Sequence, residues 1–282
     1  MGAIGVFDSG LGGFTVLKAL REQLPEYSYV YLGDNARAPY GSHSFETIYQ
    51  YTRECVHYLF EQGCPLVILA CNTASARALR TLQQVDLPKS KDSTRRILGV
   101  IRPTVEALSG YTVTGKVGIV GTNGTVQSGS YPMEIAHLHP HIQVFQQACP
   151  MWVPLVENHE VEPHAGTMYF LKRDMDRLLS QCQDIDTLLL GCTHYPILLP
   201  LLKQVMPAGI RLLSQGDIVA TSLTNYLERH PEMERRLNKD ASLVLLTTGT
   251  PSELKTKGKA FAAYLPSHAT VQQVVVSATH TL

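Results

Sequence analysis

Two segments of this sequence end an apolar run on a cysteine followed by polar side chains. One reads Leu66-Val67-Ile68-Leu69-Ala70-Cys71-Asn72-Thr73, the other Thr187-Leu188-Leu189-Leu190-Gly191-Cys192-Thr193-His194. A thiol between a strand and a helix sits where the helix N-terminus favours negative charge, so an increased thiolate fraction is expected at Cys71. The backbone N–H groups that follow, with the Asn72 and Thr73 side chains, could hold a carboxylate. Cys192 repeats the arrangement, with His194 two residues on as a proton partner.

Three chemistries fit. In the first, both thiols act on one carbon. Inverting an α-carbon needs one group to take a proton from one face and another to deliver one to the opposite face, with one cysteine as thiolate and the other as thiol. In the second, Cys71 to Arg77 spells the C-x5-R spacing of a phosphatase loop. That loop would hold Asn-Thr-Ala-Ser-Ala with no glycine, and Cys192 has no matching arginine. In the third, the chain is a two-lobed module that binds a small anion without chemistry, a role that does not call for cysteine in both lobes.

The elements that must position these residues are legible as apolar runs at 3–7, 29–32, 66–70, 116–120, 142–145, 187–190 and 243–246. Most lack polar alternation, as strands buried on both faces do. Helix-like stretches at 15–24, 44–62, 73–84 and 166–181 lie between them, which predicts an α/β fold of parallel sheets. Internal similarity goes further. The Cys71 and Cys192 segments match at an offset of 121, and Asp8-Ser9-Gly10 matches Gly121-Thr122-Asn123 at an offset of 113. Duplication of a half-domain explains both. The expectation is two pseudo-symmetric, doubly wound parallel-sheet domains with the active site in the cleft between them. The first is discontinuous (1–98 plus 210–282), and the second covers 99–209.

In open α/β sheets ligands bind beyond the carboxyl ends of the strands. Five polar turns follow apolar runs here and would face one crevice: those at Asp8, at Gly33, at Cys71, at Gly121 and at Gly191. None contains a lysine. His137, His139 and His141 surround Pro140 and read as a solvated turn, and no compact metal-ligand spacing occurs, so no metal is expected. Cys55, Cys64 and Cys182 read as packing residues.

Lysine plus arginine equals aspartate plus glutamate, 24 each, in 282 residues. That balance lacks the basic footprint of a nucleic-acid binder and favours a small charged metabolite as partner. No run approaches the ~20 apolar residues of a membrane span, and the first residues lack a signal peptide's basic start and apolar stretch. A cytoplasmic protein is expected, in which six cysteines do not form a disulfide framework.

Taken together, Gly5-Val6-Phe7-Asp8-Ser9-Gly10-Leu11-Gly12-Gly13, Pro39-Tyr40-Gly41-Ser42, Ala70-Cys71-Asn72-Thr73-Ala74-Ser75 and Gly191-Cys192-Thr193-His194-Tyr195-Pro196 resemble the signature segments of the glutamate racemases. The match in order and spacing runs from residue 4 to about residue 225. The resemblance implies a cofactor-independent interconversion of L- and D-glutamate that supplies D-glutamate for peptidoglycan. It implies that Cys192 deprotonates L-glutamate and Cys71 deprotonates D-glutamate, assisted by Asp8, His194 and Glu157. Asp8, Ser9, Pro39, Tyr40, Gly41, Ser42, Asn72, Thr73, Thr122, Thr193 and His194 match substrate-holding positions. A homodimer is the expected assembly. A carboxylate beside a thiol raises the thiol pKa, so Asp8 is as well suited to meeting the substrate ammonium as to activating Cys71.

Overall fold

A computed structural model describes residues 1–265 and 270–277. The unbroken apolar runs become strands whose side chains are buried on both faces: β1 (Ile4–Asp8), β2 (Tyr29–Gly33) and β3 (Leu66–Leu69). Next come β4 (Arg96–Gly99), β5 (Lys116–Gly121) and β6 (Gln143–Ala148). The remainder are β7 (Thr187–Gly191), β8 (Arg211–Leu213), β9 (Leu243–Thr247) and β10 (Val271–Gln273).

All pairings between these strands are parallel, and they form two sheets, β10-β9-β2-β1-β3-β4 and β6-β5-β7-β8. The orders β2-β1-β3-β4 and β6-β5-β7-β8 are the same connectivity used twice. In each, the chain leaves the first strand to one side and returns on the other, so a crevice opens where the order reverses, between β1 and β3 and between β5 and β7. The Asp8 and Cys71 turns leave the first crevice, and the Thr122 and Cys192 turns leave the second. Strand order thus carries the duplication that the sequence offsets suggested.

Helices cover both sheets. The helix Phe45–Glu61 starts on Ser44, whose hydroxyl accepts the Thr47 N–H at 3.2 Å, a common way to satisfy a free amide at a helix start. Helix Phe14–Gln23 packs against Gly216–Arg229, tying the turn after β1 to the segment after β8. The helix-like stretch at 73–84 does not make one helix. It breaks into Asn72–Arg77, Leu79–Thr81 and a wide turn at Leu82–Asp86, ahead of Pro88. His137 belongs to the helix Ser130–Leu138, and His139 bonds the Val105 carbonyl at 3.0 Å, so only part of that histidine cluster is a turn. No helix among the described residues is long and apolar enough to cross a membrane.

Candidate active site

The two crevices face each other and enclose one cavity of about 20 Å³, room for about one water molecule. Ser9, Pro39, Tyr40, Gly41, Cys71, Asn72, Thr73, Thr122, Glu157, Cys192, Thr193 and His194 line it, all of them singled out in the sequence. Gly10, Ala38 and Val153 complete the wall. Two expected residues are not on it. Asp8 is fully buried behind the wall, and Ser42 turns its hydroxyl back to the Pro39 carbonyl at 3.3 Å. A metabolite cannot enter so small a space unless the walls separate.

Cys71 follows β3 and caps the helix Asn72–Arg77, its sulfur accepting the Ala74 N–H at 3.5 Å. Its thiol donates to the Ser9 hydroxyl at 3.5 Å. The expectation that the helix start would favour the thiolate is overturned. Burial pushes the Cys71 thiol up to about 12, and the Asp8 carboxylate adds to the rise. The Ser9 hydroxyl and Ala74 N–H oppose it and lose. A helix of six residues offers few aligned dipoles, whereas the sulfur is almost wholly removed from water.

The Cys192 side is built differently. Its sulfur lies 4.0 Å from His194 Nδ1, and His194 Nε2 lies 3.2 Å from Glu157 Oε1. Burial alone would lower the imidazole pKa. The hydrogen bonds to Cys192 and Glu157, with their charges, outweigh it and raise His194 to about 10. The Glu157 carboxyl is lowered: burial works against ionisation, but the bond to His194, its charge and the Lys257 ammonium at 3.3 Å overcome it. The result is a buried imidazolium–carboxylate pair beside one thiol.

Asp8 sits between the two sides. Its carboxylate accepts the Gly10 N–H at 3.0 Å and the Thr193 hydroxyl at 3.2 Å. Burial raises its pKa, and the His194 charge and these donors counter that. Gly12 explains how the turns approach so closely. A Cβ there would overlap Thr193 Oγ1 and His194 Nδ1.

Across the cleft, Thr73 Oγ1 meets Thr122 Oγ1 at 2.9 Å, and Gly41 packs so tightly that an added Cβ would lie 2.7 Å from Thr122 Cβ. Tyr40 is held from behind by its hydrogen bond to Asp34, which also receives Arg37 and Thr248. Asn72 is fixed at both ends of its amide. It donates to Gln215 Oε1 at 2.6 Å and accepts the Tyr131 hydroxyl at 2.6 Å, and Gln215 in turn donates to Tyr131 and Thr104. Tyr131, Gln215 and Lys257 escaped the sequence reading, because each gains meaning only from a partner more than fifty residues away.

Known proteins resemble this chain over most of its length. The Asp/Glu/Hydantoin racemase family model matches residues 13–223. A glutamate racemase from Ruegeria pomeroyi is 38% identical over 269 residues, covering 92% of this chain and 96% of its own. The crystal structure of a glutamate racemase isoform from Bacillus anthracis aligns with a TM-score of 0.85 at 32% identity over 98% of each chain. That of glutamate racemase from Francisella tularensis subsp. tularensis, in complex with D-glutamate, gives 0.83 at 27% identity over 98% of each. The chain belongs to the Asp/Glu/Hydantoin racemase family and is an amino-acid racemase.

Proposed function

We propose that this racemase interconverts L- and D-glutamate by a two-base proton transfer between Cys71 and Cys192. The observation that carries the proposal is the arrival of two cysteines in one cavity, each from the strand beside the switch point of its own sheet. A one-base mechanism leaves one of them without purpose. Glutamate as substrate is supported by relatives named for it over nearly the whole chain.

From L-glutamate, the Cys192 thiolate takes the α-proton. The Cα–H bond breaks, an S–H bond forms, and a carbanion-like centre develops. The Cys71 thiol, held protonated by burial, gives its proton to the opposite face. D-glutamate leaves, and exchange with solvent resets the two sulfurs. The reverse reaction uses them in exchanged roles. His194, charged through neutral pH, faces the sulfur that must carry negative charge first, and Glu157 orients it. Asp8 acts through space on Cys71 and on the substrate ammonium.

Ser9, Pro39, Tyr40, Gly41, Asn72, Thr73, Thr122, Thr193 and His194 hold the substrate, and Ser42 supports the Pro39 carbonyl. None of the described residues lining the cavity is a lysine, so no wall amine is available for a Schiff base, and the proposed proton transfer between two thiols calls for no cofactor. Closure of the two lobes excludes water from the carbanion. Their division at 1–98 plus 210–282 and 99–209 is supported by the sheet memberships, and the pairing of β8 with β7 favours a return a few residues after 209. We also assign a cytoplasmic location, a homodimer and the supply of D-glutamate for peptidoglycan.

The test is circular dichroism of L-glutamate with the purified protein in chelator and without added cofactor. Decay of the signal to zero is expected. A stable signal, or activity regained only with one metal, contradicts the reading. Comparable kcat/KM with aspartate contradicts the substrate.

A further inference from the structure

The residues beyond the family match contribute to the Cys192 side. Residues 256–264 run behind the cavity wall, and three contacts tie them there. The Thr256 carbonyl bonds the His159 ring at 2.7 Å, Lys257 Nζ meets Glu157 Oε2 at 3.3 Å, and the Phe261 ring stands edge-on to His194 at 5.4 Å and 88°. Phe261 is fully buried, and further along Lys18 covers the Tyr264 ring at 5.4 Å.

These contacts converge on one pair. Glu157 has one oxygen on His194 and the other on Lys257. His194 has Cys192 and Glu157 on its two nitrogens and Phe261 against its ring. The charged or titratable groups facing His194 are Cys192, Glu157 and Asp8, and Lys257 reaches it through Glu157. Neither Lys257 nor Phe261 lines the cavity.

We propose that Lys257 and Phe261 are positioning residues of the Cys192 arm: Lys257 fixes the Glu157 carboxylate, and Phe261 fixes the plane of the His194 ring. The proposal rests on reading Cys192 and His194 as one acid–base arm. An imidazole flanked by two partners keeps both bonds only if its ring cannot tilt. A buried aromatic ring set perpendicular to the imidazole on one side and an anchored carboxylate on the other restrict that freedom, which preorganises the arm before substrate arrives.

The test is NMR titration of ring-labelled histidine in the full-chain protein, which does not depend on what the enzyme acts on. His194, assigned with His194→Gln, should titrate near pH 10. For Lys257 the sign decides. If the ammonium positions Glu157, Lys257→Ala frees the carboxylate, and the His194 midpoint falls by about one pH unit, while Lys257→Arg restores it. If Lys257 is only a nearby charge, its loss removes repulsion, and the midpoint rises or stays. Either result overturns its role. Phe261→Ala should also lower the midpoint, and Phe261→Leu, which keeps most of the apolar volume and the fold, should lower it less. An unchanged midpoint in the leucine variant overturns the role of Phe261. In racemisation assays Lys257→Ala and Phe261→Leu should lower kcat about 5- to 10-fold with KM nearly unchanged. A rise in KM with kcat intact contradicts positioning.

Discussion

Glu157 Oε1 and His194 Nε2 lie 3.2 Å apart behind Cys192, and this ion pair makes the two sides of a pseudo-symmetric site chemically unequal. Cys71 is met instead by the Ser9 hydroxyl and the Ala74 N–H, with the Asp8 carboxylate close enough to disfavour its thiolate. One sulfur faces a buried cation, and the other is held as a thiol. In the proposed mechanism one sulfur is base and the other acid in each turnover, and this asymmetry favours Cys192 as the base for L-glutamate, while D-glutamate calls on the pair with the roles exchanged.

Glu157→Gln keeps the shape of the side chain and removes its charge. His194 then loses the anion on Nε2 and gives up its proton at lower pH. We expect kcat to fall about 10- to 100-fold with KM little changed, and the alkaline limb of the pH–rate profile to move to lower pH. Steady-state circular dichroism kinetics between pH 6 and 10 measure both. An unmoved alkaline limb contradicts the role given to the pair.

Stability should fall in alkali. The folded-state pKa of His194 is raised above its ordinary value of 6.5, so its contribution is full below that value and is lost as pH rises through about 10. Cys71 has the same sign, from its ordinary value of 9.0 to about 12. Urea midpoints should therefore drop between about pH 7 and pH 10, and His194→Gln should flatten that part of the curve. An identical slope in the variant contradicts this assignment.

Gly12→Ala places a methyl group where Thr193 Oγ1 and His194 Nδ1 now lie. The turn after β1 or the Cys192 turn must shift. We expect about 1–3 kcal/mol of destabilisation and a loss of kcat of about 100-fold or more. Thermal melts and initial rates decide it, and a variant with normal activity refutes the close packing of these turns.

The buried strands were legible because both faces of β1, β3, β5 and β7 are covered, so the sequence has no polar alternation to confuse. The misses fall at sheet edges. β4 opens on Arg96 and β8 is three residues opening on Arg211, and neither stood among the expected apolar runs. β6, expected at 142–145, runs on through Gln146 and Gln147, which an edge strand tolerates. At the site, the strand-end cysteines and their polar followers were readable because local sequence places them. Phe261 and Gln215 were not, since only the folded chain brings one to His194 and the other to Asn72. The protonation of Cys71 was misjudged because burial is a property of the whole fold, and the local helix start could not outweigh it.

The central claim is that Cys71 and Cys192 work on opposite faces of one carbon. It is tested most directly by running the reaction from L-glutamate in deuterium oxide and stopping it early. Cys192 removes a protium, and Cys71, already exchanged with solvent, delivers deuterium. Early D-glutamate should carry deuterium at Cα while the remaining L-glutamate stays largely protiated, with the mirror result from D-glutamate. Cys71→Ser and Cys192→Ser should each abolish racemisation. Heavy early deuteration of recovered L-glutamate, or substantial racemisation by either single variant, would contradict the two-base account.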